Sequence, residues 1–182
     1  MPPKVIVVDY DPSWPDTFAR LRANIWPSIC DAATVIEHVG STSVPGLAAK
    51  PIIDMTIIVP NAGAMRTVIH RLAILGYHHR GDLGVPGRQA FSNPPATPPH
   101  HLYACLPDND ALHNHLAIRD YLRSNPSAAE AYAQLKKQLA TQFPDDIDAY
   151  IDGKTEFILT ILSRSSFSPA QIAQIRDINS KA

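Results

Sequence analysis

Runs of apolar and β-branched residues predict the strands of a sheet. Residues 34–39 alternate between apolar and polar side chains, and residues 51–59 are apolar almost throughout, which is typical of a strand covered on both faces. Residues 5–8 predict a first short strand, and residues 101–106 predict a late one. Two further short strands are expected on either side of the turn at residues 81–86.

Apolar residues that recur every three or four positions predict the helices. One such stripe runs from Phe18 to Ile29. A second helix is predicted at residues 64–75, where Gly76 has the conformational freedom to end it. Beyond residue 109 only helical spacing is found, with helix starts predicted at residues 125–126, 144–145 and 168–169.

The order of these elements indicates an α+β protein. Residues 1–107 contain every predicted strand and form the α/β core, whereas residues 108–182 contain predicted helices only. Because 182 residues fit one domain, we expect the helical portion to pack on the core as a single unit.

Composition narrows the classes of partner. Lys and Arg total 16 against 17 for Asp and Glu, a formal net charge of -1, and aromatic residues make up only 7%, so nucleic acid is not the expected partner. No stretch approaches the ~20 apolar residues of a membrane span, and the apolar run at residues 5–8 is too short for a signal peptide. Two cysteines give no disulfide framework. The expected location is the cytoplasm.

The candidate chemistry lies between residues 38 and 54. Asp54 is the one charge in the most apolar predicted strand, where a carboxylate is costly unless a cation or hydrogen-bond donor meets it. Upstream, Gly40 lets the backbone approach a ligand closely, and the hydroxyl of Ser41 with nearby backbone amides suits the oxygens of a phosphate. Lys50 adds a local positive charge. The segment therefore predicts a phosphate site beside a carboxylate.

Structural interpretations of the same residues stay open. Gly40 and Ser41 suit a simple tight turn, and Asp54 suits a structural acid that caps a loop or pairs with Arg119. The paired histidines of the sequence do not predict a zinc site, because neighbouring residues on a strand point to opposite faces. A serine hydrolase is not expected either, since the chain has no Gly-x-Ser-x-Gly turn.

The order of Gly40-Ser41, a loop, and an apolar strand that carries Asp54 resembles the signature of the nucleotidyltransferase superfamily. In that superfamily the Gly-Ser pair holds a triphosphate, and acids spaced one residue apart on the strand bind magnesium for an in-line attack. The resemblance implies a nucleotidyltransferase-like mixed sheet with flanking helices and a C-terminal helical bundle.

A longer pattern is similar to the bacterial GrpB family. It comprises residues 38–54, 101–103, 118–123 and 132–136 with Lys154, and extends from about residue 10 to residue 162. A similar domain is appended to some dephospho-coenzyme A kinases. The resemblance implies magnesium (Mg²⁺) at Asp54, with His101 as a polar or proton-transferring group beside it. It also implies a set of phosphate-contacting residues: Gly40, Ser41, Lys50, Arg119, Lys136 and Lys154.

The sequence departs from active nucleotidyltransferases at two positions. Thr56 stands where the second acid of the pair is expected, and a hydroxyl is a weaker ligand than a carboxylate for a hard cation. The strand that would supply a third acid presents His101 and Tyr103 instead. A single magnesium ion held by Asp54, water and substrate phosphates remains feasible, but a two-metal site lacks ligands.

Two functions follow from these observations. The first is a nucleotidyltransferase-like protein that binds a nucleotide or related phosphate compound with a divalent metal and transfers a nucleotidyl group. The alternative is a non-catalytic module on the same fold that senses a nucleotide or coenzyme or docks a protein. Thr56 and the missing third acid favour the alternative.

Overall fold

A computed structural model describes residues 4–165 and 167–179, which form one mixed sheet with helices on both faces. Its strands are β1 (Val35–Val39), β2 (Ile53–Ile58), β3 (His78–His79), β4 (Gln89–Ser92) and β5 (His100–Cys105). Its helices are α1 (Trp14–Ile29), α2 (Ala62–Ile74), α3 (Asp110–Ser124), α4 (Pro126–Gln142), α5 (Ile147–Leu162) and α6 (Pro169–Asn179). A single 3₁₀ turn, Ser41–Ser43, follows β1.

The sheet has the order β1-β2-β5-β4-β3. Strands β2 and β5 are parallel, and the other neighbouring strands pair antiparallel. In this register Asp54 lies between Val39 of β1 and His101 of β5. The chain therefore brings together, across three strands, residues that are far apart in sequence.

One face of the sheet is covered by α1 and α2. The stripe predicted on α1 is buried through Leu21, Ile25 and Ile29, and it packs against alternate β2 residues such as Met55. Helix α2 adds two buried residues, and its predicted end at Gly76 is confirmed. Because side chains alternate along a strand, the residues between the apolar ones, Asp54 among them, face the opposite side.

The opposite side is covered by the later helices. Residues of α3, α4 and α5 form an apolar cluster with Val44, Leu47 and Ala48, which lie between β1 and β2. Helix α4 begins at Pro126 after Asn125, as predicted, because proline needs no hydrogen-bond acceptor in the first turn of a helix. None of the described helices combines the length and the apolar character needed to cross a lipid bilayer.

Two sequence predictions concern the ends of the chain. The first is wrong, and the second falls partly on residues outside the described ones. The predicted strand at residues 5–8 is wrong: Val8 forms an isolated bridge with Ala49, while the N–H of Val5 donates to the carbonyl of Pro144. The side chain of Val5 packs on Leu139 and Tyr150 of the helical region, so no strand edge is available to it. The predicted frayed tail includes residues 180–182, which lie outside the described residues.

Candidate functional site

The backbone of Gly40 passes directly over the side chain of Asp54. Gly40 has φ 68° and ψ −174°, a conformation that residues with a Cβ rarely adopt. A Cβ added at this position would lie 2.8 Å from Cγ of Asp54 and closer still to Oδ2. Glycine is therefore required at position 40 because the loop lies against the Asp54 carboxylate. This requirement holds whether or not the loop also contacts a ligand.

Asp54 forms a hydrogen-bonded pair with His101. Nδ1 of His101 donates to Oδ1 of Asp54 at 2.8 Å, and the two side chains are 28% (Asp54) and 45% (His101) exposed. Burial raises the pKa of Asp54, but the hydrogen bond from His101 and the charges of His101, His115 and Lys154 outweigh it and hold that pKa below its usual value. The carboxylate is thus ionised, reachable from solvent and adjacent to the loop. The alternative pairing with Arg119 is wrong.

Other polar residues share this face of the sheet. Thr56 lies directly opposite Glu37 on β1 and Tyr103 on β5. Its hydroxyl is buried and has no hydrogen-bond partner within the described part of the chain. His101 and Tyr103 both face the site, as the sequence predicted, with ring centroids 6.2 Å apart.

Lys136 reaches the loop from helix α4. Its Nζ donates to Oγ of Ser41 at 2.8 Å and to the carbonyl of Ala48, and it lies 4.6 Å from the ring centroid of Tyr132. Only 2% of the residue is exposed. Burial, together with the nearby charge of Lys154, lowers the pKa of Lys136 to about 7.

Two more lysines lie in the same region: the charge of Lys154 acts on Lys136, and the charge of Lys50 acts on Lys154. Nζ of Lys154 and Nζ of Lys50 lie 4.8 Å and 5.8 Å from the ring centroid of Tyr150. Burial and the charge of Lys50 lower the pKa of Lys154 to about 8, and burial lowers the pKa of Lys50. Among the described residues no carboxylate forms an ion pair with any of the three. We call Lys50, Lys136 and Lys154 the lysine cluster.

Arg119, the fourth predicted cation, is engaged elsewhere. Its guanidinium donates to Glu37 at 2.6 Å and to Asp120 at 2.7 Å, and the side chain is 12% exposed. It also donates to the carbonyl of His38 at 3.1 Å, immediately before the loop. The structure therefore places Lys136 against Ser41, with Lys154 near Lys136 and Lys50 near Lys154, and it places Arg119 as a support of the loop.

A second arginine of α3 holds the other end of the same loop. Nε and Nη2 of Arg123 donate to the carbonyl of Ser43 at 3.0 Å and 2.7 Å. Both hydrogen bonds satisfy the same backbone oxygen, that of Ser43, at the end of the 3₁₀ turn. The loop conformation is thus fixed from α3 before any ligand is present.

Sequence reasoning missed His115, which faces the site from α3. Its ring lies 6.2 Å from that of Tyr103. Burial lowers the pKa of His115, although the charge of Asp54 opposes the shift. The signal was present in the helical spacing, since His115 lies between Leu112 and Arg119 on the stripe that α3 turns toward the sheet. A polar residue on a buried stripe is a candidate site residue.

The side chains present fit one magnesium ion better than two. The described part of the chain contains no group of three or more His, Cys, Asp or Glu arranged to hold a metal ion. Asp54 offers one carboxylate, and the hydroxyl of Thr56 on the same face has no partner within the described residues. Magnesium commonly takes one or two carboxylates and completes its shell with water and substrate phosphates. Asp54 fits that role, whereas a two-metal arrangement lacks ligands.

Similarity to known proteins covers nearly the whole chain. The family described as GrpB protein matches residues 4–164. The chain is 41% identical over 161 residues to the protein YqkA of Bacillus subtilis, which covers 86% of this chain. It spans only 46% of YqkA, less than half of that relative. A dephospho-CoA kinase of Mycolicibacterium paratuberculosis is 26% identical over 172 residues, covering 81% of this chain and 42% of the kinase.

Solved structures show the same relationship. The crystal structure of the conserved protein GrpB from Enterococcus faecalis superimposes with a TM-score of 0.78 at 36% identity, covering 93% of this chain and 98% of that chain. A crystal structure of the Cid1 poly(U) polymerase with MgGTP bound has a TM-score of 0.50 at 16% identity, covering 74% of this chain and 44% of that chain. This second likeness concerns the fold alone, which is nucleotidyltransferase-like. The chain belongs to the GrpB family.

Proposed function

We propose that this protein binds a nucleoside triphosphate or a related phosphate compound at the lysine cluster and Ser41, with one magnesium ion at Asp54. The observation that carries the proposal is the lysine cluster itself. Lys136 contacts Ser41 of the loop, the charge of Lys154 acts on Lys136, and the charge of Lys50 acts on Lys154. No carboxylate among the described residues forms an ion pair with any of the three. Lys136 is buried, and Lys50 and Lys154 are half-buried. Asp54 offsets part of the cost of holding these charges away from water, and a bound polyphosphate would offset more of it.

The lowered pKa values support the same interpretation. Burial lowers the pKa of Lys136 to about 7 and that of Lys154 to about 8, and the positive charge of a neighbouring lysine adds to each shift. A phosphate placed between them would favour the charged form of each. Lys136 already donates to Ser41, so a phosphate oxygen contacting the Ser41 hydroxyl would also lie near this amine.

Beyond binding, the proposed function includes transfer of a nucleotidyl group from the nucleoside triphosphate to an acceptor. An acceptor oxygen would attack the α-phosphorus, and pyrophosphate would leave toward the lysine cluster, whose charge stabilises it. When bound, magnesium supplies charge neutralisation between the phosphates. His101 holds the Asp54 carboxylate in place through its Nδ1 hydrogen bond. The nucleotidyltransferase-like fold and the position of Asp54 next to Gly40 support this extension.

A specific observation favours the second candidate, a non-catalytic nucleotide- or coenzyme-sensing or protein-docking module. Thr56 occupies the position of the second acid, and Asp54 is already hydrogen-bonded to His101. A single carboxylate that already accepts a hydrogen bond from His101 binds a metal ion less well than a pair of free carboxylates, which disfavours metal-assisted catalysis. Binding of a nucleotide without turnover would distinguish this candidate.

Binding is tested by isothermal titration with each of the four nucleoside triphosphates and with pyrophosphate, with and without magnesium. We expect micromolar binding, weakened at least tenfold by Lys136→Met, because a charge-assisted hydrogen bond contributes about 1.5–3 kcal/mol. The matched control is Lys137→Met, since Lys137 is the next residue on α4 and pairs only with the exposed Asp9 among described residues. No binding, or equal losses in both variants, would contradict the proposal.

Turnover is tested with labelled nucleoside triphosphate, magnesium and a cell extract as the source of acceptors. Release of pyrophosphate that is lost in Asp54→Asn supports transfer. Asp54→Asn keeps the size of the side chain and removes the charge that would hold magnesium. Saturable binding without pyrophosphate release in the native protein supports the non-catalytic module.

A further inference from the structure

A large cleft lies outside the phosphate site. Its volume is about 990 Å³, at the upper end of the range usual for small-molecule sites. The loop at residues 83–88 and the start of α3 form one wall, and residues of α5 and α6 form the other. Neither the predicted phosphate contacts nor Asp54 line this cleft, so the proposed function leaves it unassigned.

The lining has a distinct chemistry. The lining residues include three aspartates, Asp108, Asp110 and Asp177, and one arginine, Arg88. Asp110 accepts a hydrogen bond from Gln171, which also lines the cleft. Arg88 is also engaged, because its guanidinium carbon lies 4.4 Å from the ring centroid of Tyr103. The lining is therefore negative on balance, which disfavours polyanions such as RNA and favours uncharged or positively charged molecules.

One hydrogen-bond acceptor in the wall lacks a donor within the described residues. Oδ1 of Asn114, a lining residue on α3, is buried and has no partner within the described residues. A buried amide oxygen without a partner costs about 1–3 kcal/mol, which a ligand N–H or O–H can recover. Apolar residues such as Val85, Leu106 and Ile175 also line the cleft and suit the flat faces of a ring.

The cleft adjoins the phosphate site through two helices. On α5, Ile151 lines the cleft and Lys154 lies three residues later, on the same side of the helix. On α3, His115 lines the cleft, and its ring lies 6.2 Å from Tyr103, which shares the sheet face with Asp54. A molecule in the cleft therefore lies beside the place where a triphosphate would be held.

We propose that this cleft binds the acceptor of the transfer, a compound of one or a few sugar rings that carries hydroxyl and amino groups. The inference rests on the proposed function, since an acceptor needs a nucleotide beside it. A hydroxyl of the acceptor would attack the α-phosphorus of the nucleoside triphosphate, pyrophosphate would leave, and the hydroxyl proton would pass to solvent. The amino groups would meet the three carboxylates, and hydroxyl or amino donors would reach Asn114.

The test uses the full chain and three oligomers of matched length: the trimer of glucosamine, the trimer of N-acetylglucosamine and a ribonucleotide trimer. Titration at pH 6, where the glucosamine amines are charged, should show binding of the glucosamine trimer at least tenfold tighter than of the other two. The double variant Asp110→Asn and Asp177→Asn should weaken it at least tenfold. The double variant Asp145→Asn and Asp148→Asn is the control, because both side chains are exposed outside the cleft.

The outcomes separate this inference from the proposed function. Lys136→Met should lose nucleotide binding and keep the glucosamine trimer, because Lys136 does not line the cleft. Nucleotide binding with no preference for the cationic trimer, or equal losses in both aspartate variants, would overturn the cleft assignment alone. Absence of nucleotide binding would overturn the proposed function, and with it the acceptor role, whatever the trimers do.

Discussion

Gly40 and Asp54 are in direct contact: the backbone of Gly40 lies so close to the carboxylate of Asp54 that a Cβ on residue 40 would overlap it. The contact joins the two features that the sequence presents separately, a small-residue turn and an acid in an apolar strand. Because Val39 and Asp54 are paired across β1 and β2, Gly40 is the first residue beyond this pair. The strand register thus positions the loop over the acid.

Substitution of Gly40 should disturb both the loop and the acid. We expect Gly40→Ala to lower the free energy of unfolding by about 2–4 kcal/mol, because positive-φ strain and overlap with Asp54 add together. Gly46→Ala is the control: φ is 79° there, but no atom lies within 4 Å of the added Cβ, so about 1 kcal/mol is expected. Urea denaturation measures both, and equal losses would argue against the overlap.

Anion binding should weaken as pH rises above neutrality. Lys136 has a pKa of about 7 and Lys154 one of about 8, so each loses its charge between pH 6 and 9 in the free protein. Sulfate keeps its charge over this range and is the suitable probe. Its dissociation constant should rise about tenfold between pH 6 and 9, measured by NMR titration. In Lys136→Met the rise should be smaller and shifted toward pH 8, and an unchanged profile would contradict the assignment.

The stability of the protein itself should increase between pH 7 and 8. Burial lowers the pKa of Lys136 to about 7 in the folded state, whereas the unfolded value is 10.5. The unfolded chain therefore binds more protons above pH 7, and stability rises with pH by up to about 1.4 kcal/mol per pH unit for one such group. Urea denaturation at pH 7 and 8 should show this rise in the native protein, and much less of it in Lys136→Met.

Arg119 should matter for the loop and little for phosphate binding. Arg119→Met removes the hydrogen bonds to Glu37 and to the carbonyl of His38, which should cost about 2–4 kcal/mol of unfolding free energy. The double variant with Glu37→Gln should lose less than the sum, because it leaves no unpaired carboxylate. Triphosphate affinity should change less than threefold in Arg119→Met. A tenfold loss would instead assign Arg119 to the phosphate site.

Helices α4 and α5 meet closely at Gly153. A Cβ there would lie 3.1 Å from Cδ1 of Leu139 and closer to Cδ2. Alanine in a helix is normally about 1 kcal/mol better than glycine, so Gly153→Ala would stabilise an unobstructed helix. We expect destabilisation by about 1–2 kcal/mol instead, because a well-packed leucine must move. Thermal denaturation measures the effect of Gly153→Ala in the native protein and in the Leu139→Val variant. The loss caused by Gly153→Ala should be smaller in the Leu139→Val background.

Much of the fold follows from local chemistry that the sequence displays. The apolar run at residues 51–59 contains β2, Gly76 ends α2, and Asn125 with Pro126 begins α4. The strand predicted at residues 5–8 failed because a strand exists only with a partner, and the chain there meets Pro144 and a helical surface. Local pattern predicts extended backbone, but the sheet decides which extended segments join it.

The sequence predicts those parts of the candidate site that lie close together in the chain. It does not predict the parts that depend on how a helix packs on the sheet. Gly40, Ser41 and Asp54 lie in one segment, so their proximity follows from a strand, a turn and a strand. His115 and the partners of Arg119 depend on how α3 crosses the sheet, which the helical stripe alone does not give. Polar residues on the apolar stripe of α3 indicate that His115 and Arg119 face the sheet, but the partners of Arg119 follow only from the packing of α3 on β1.

The Asp54–His101 pair also constrains how the protein folds. The two residues are 47 positions apart and meet only because β2 and β5 pair in parallel, with α2, β3 and β4 folded between them. Parallel pairing across so long a connection is slow, because the chain loses the conformational entropy of closing the loop before the contacts between the strands stabilise it. Segments of the chain that emerge early in synthesis therefore contain the acid without its histidine, and the pair forms only when β5 has joined the sheet.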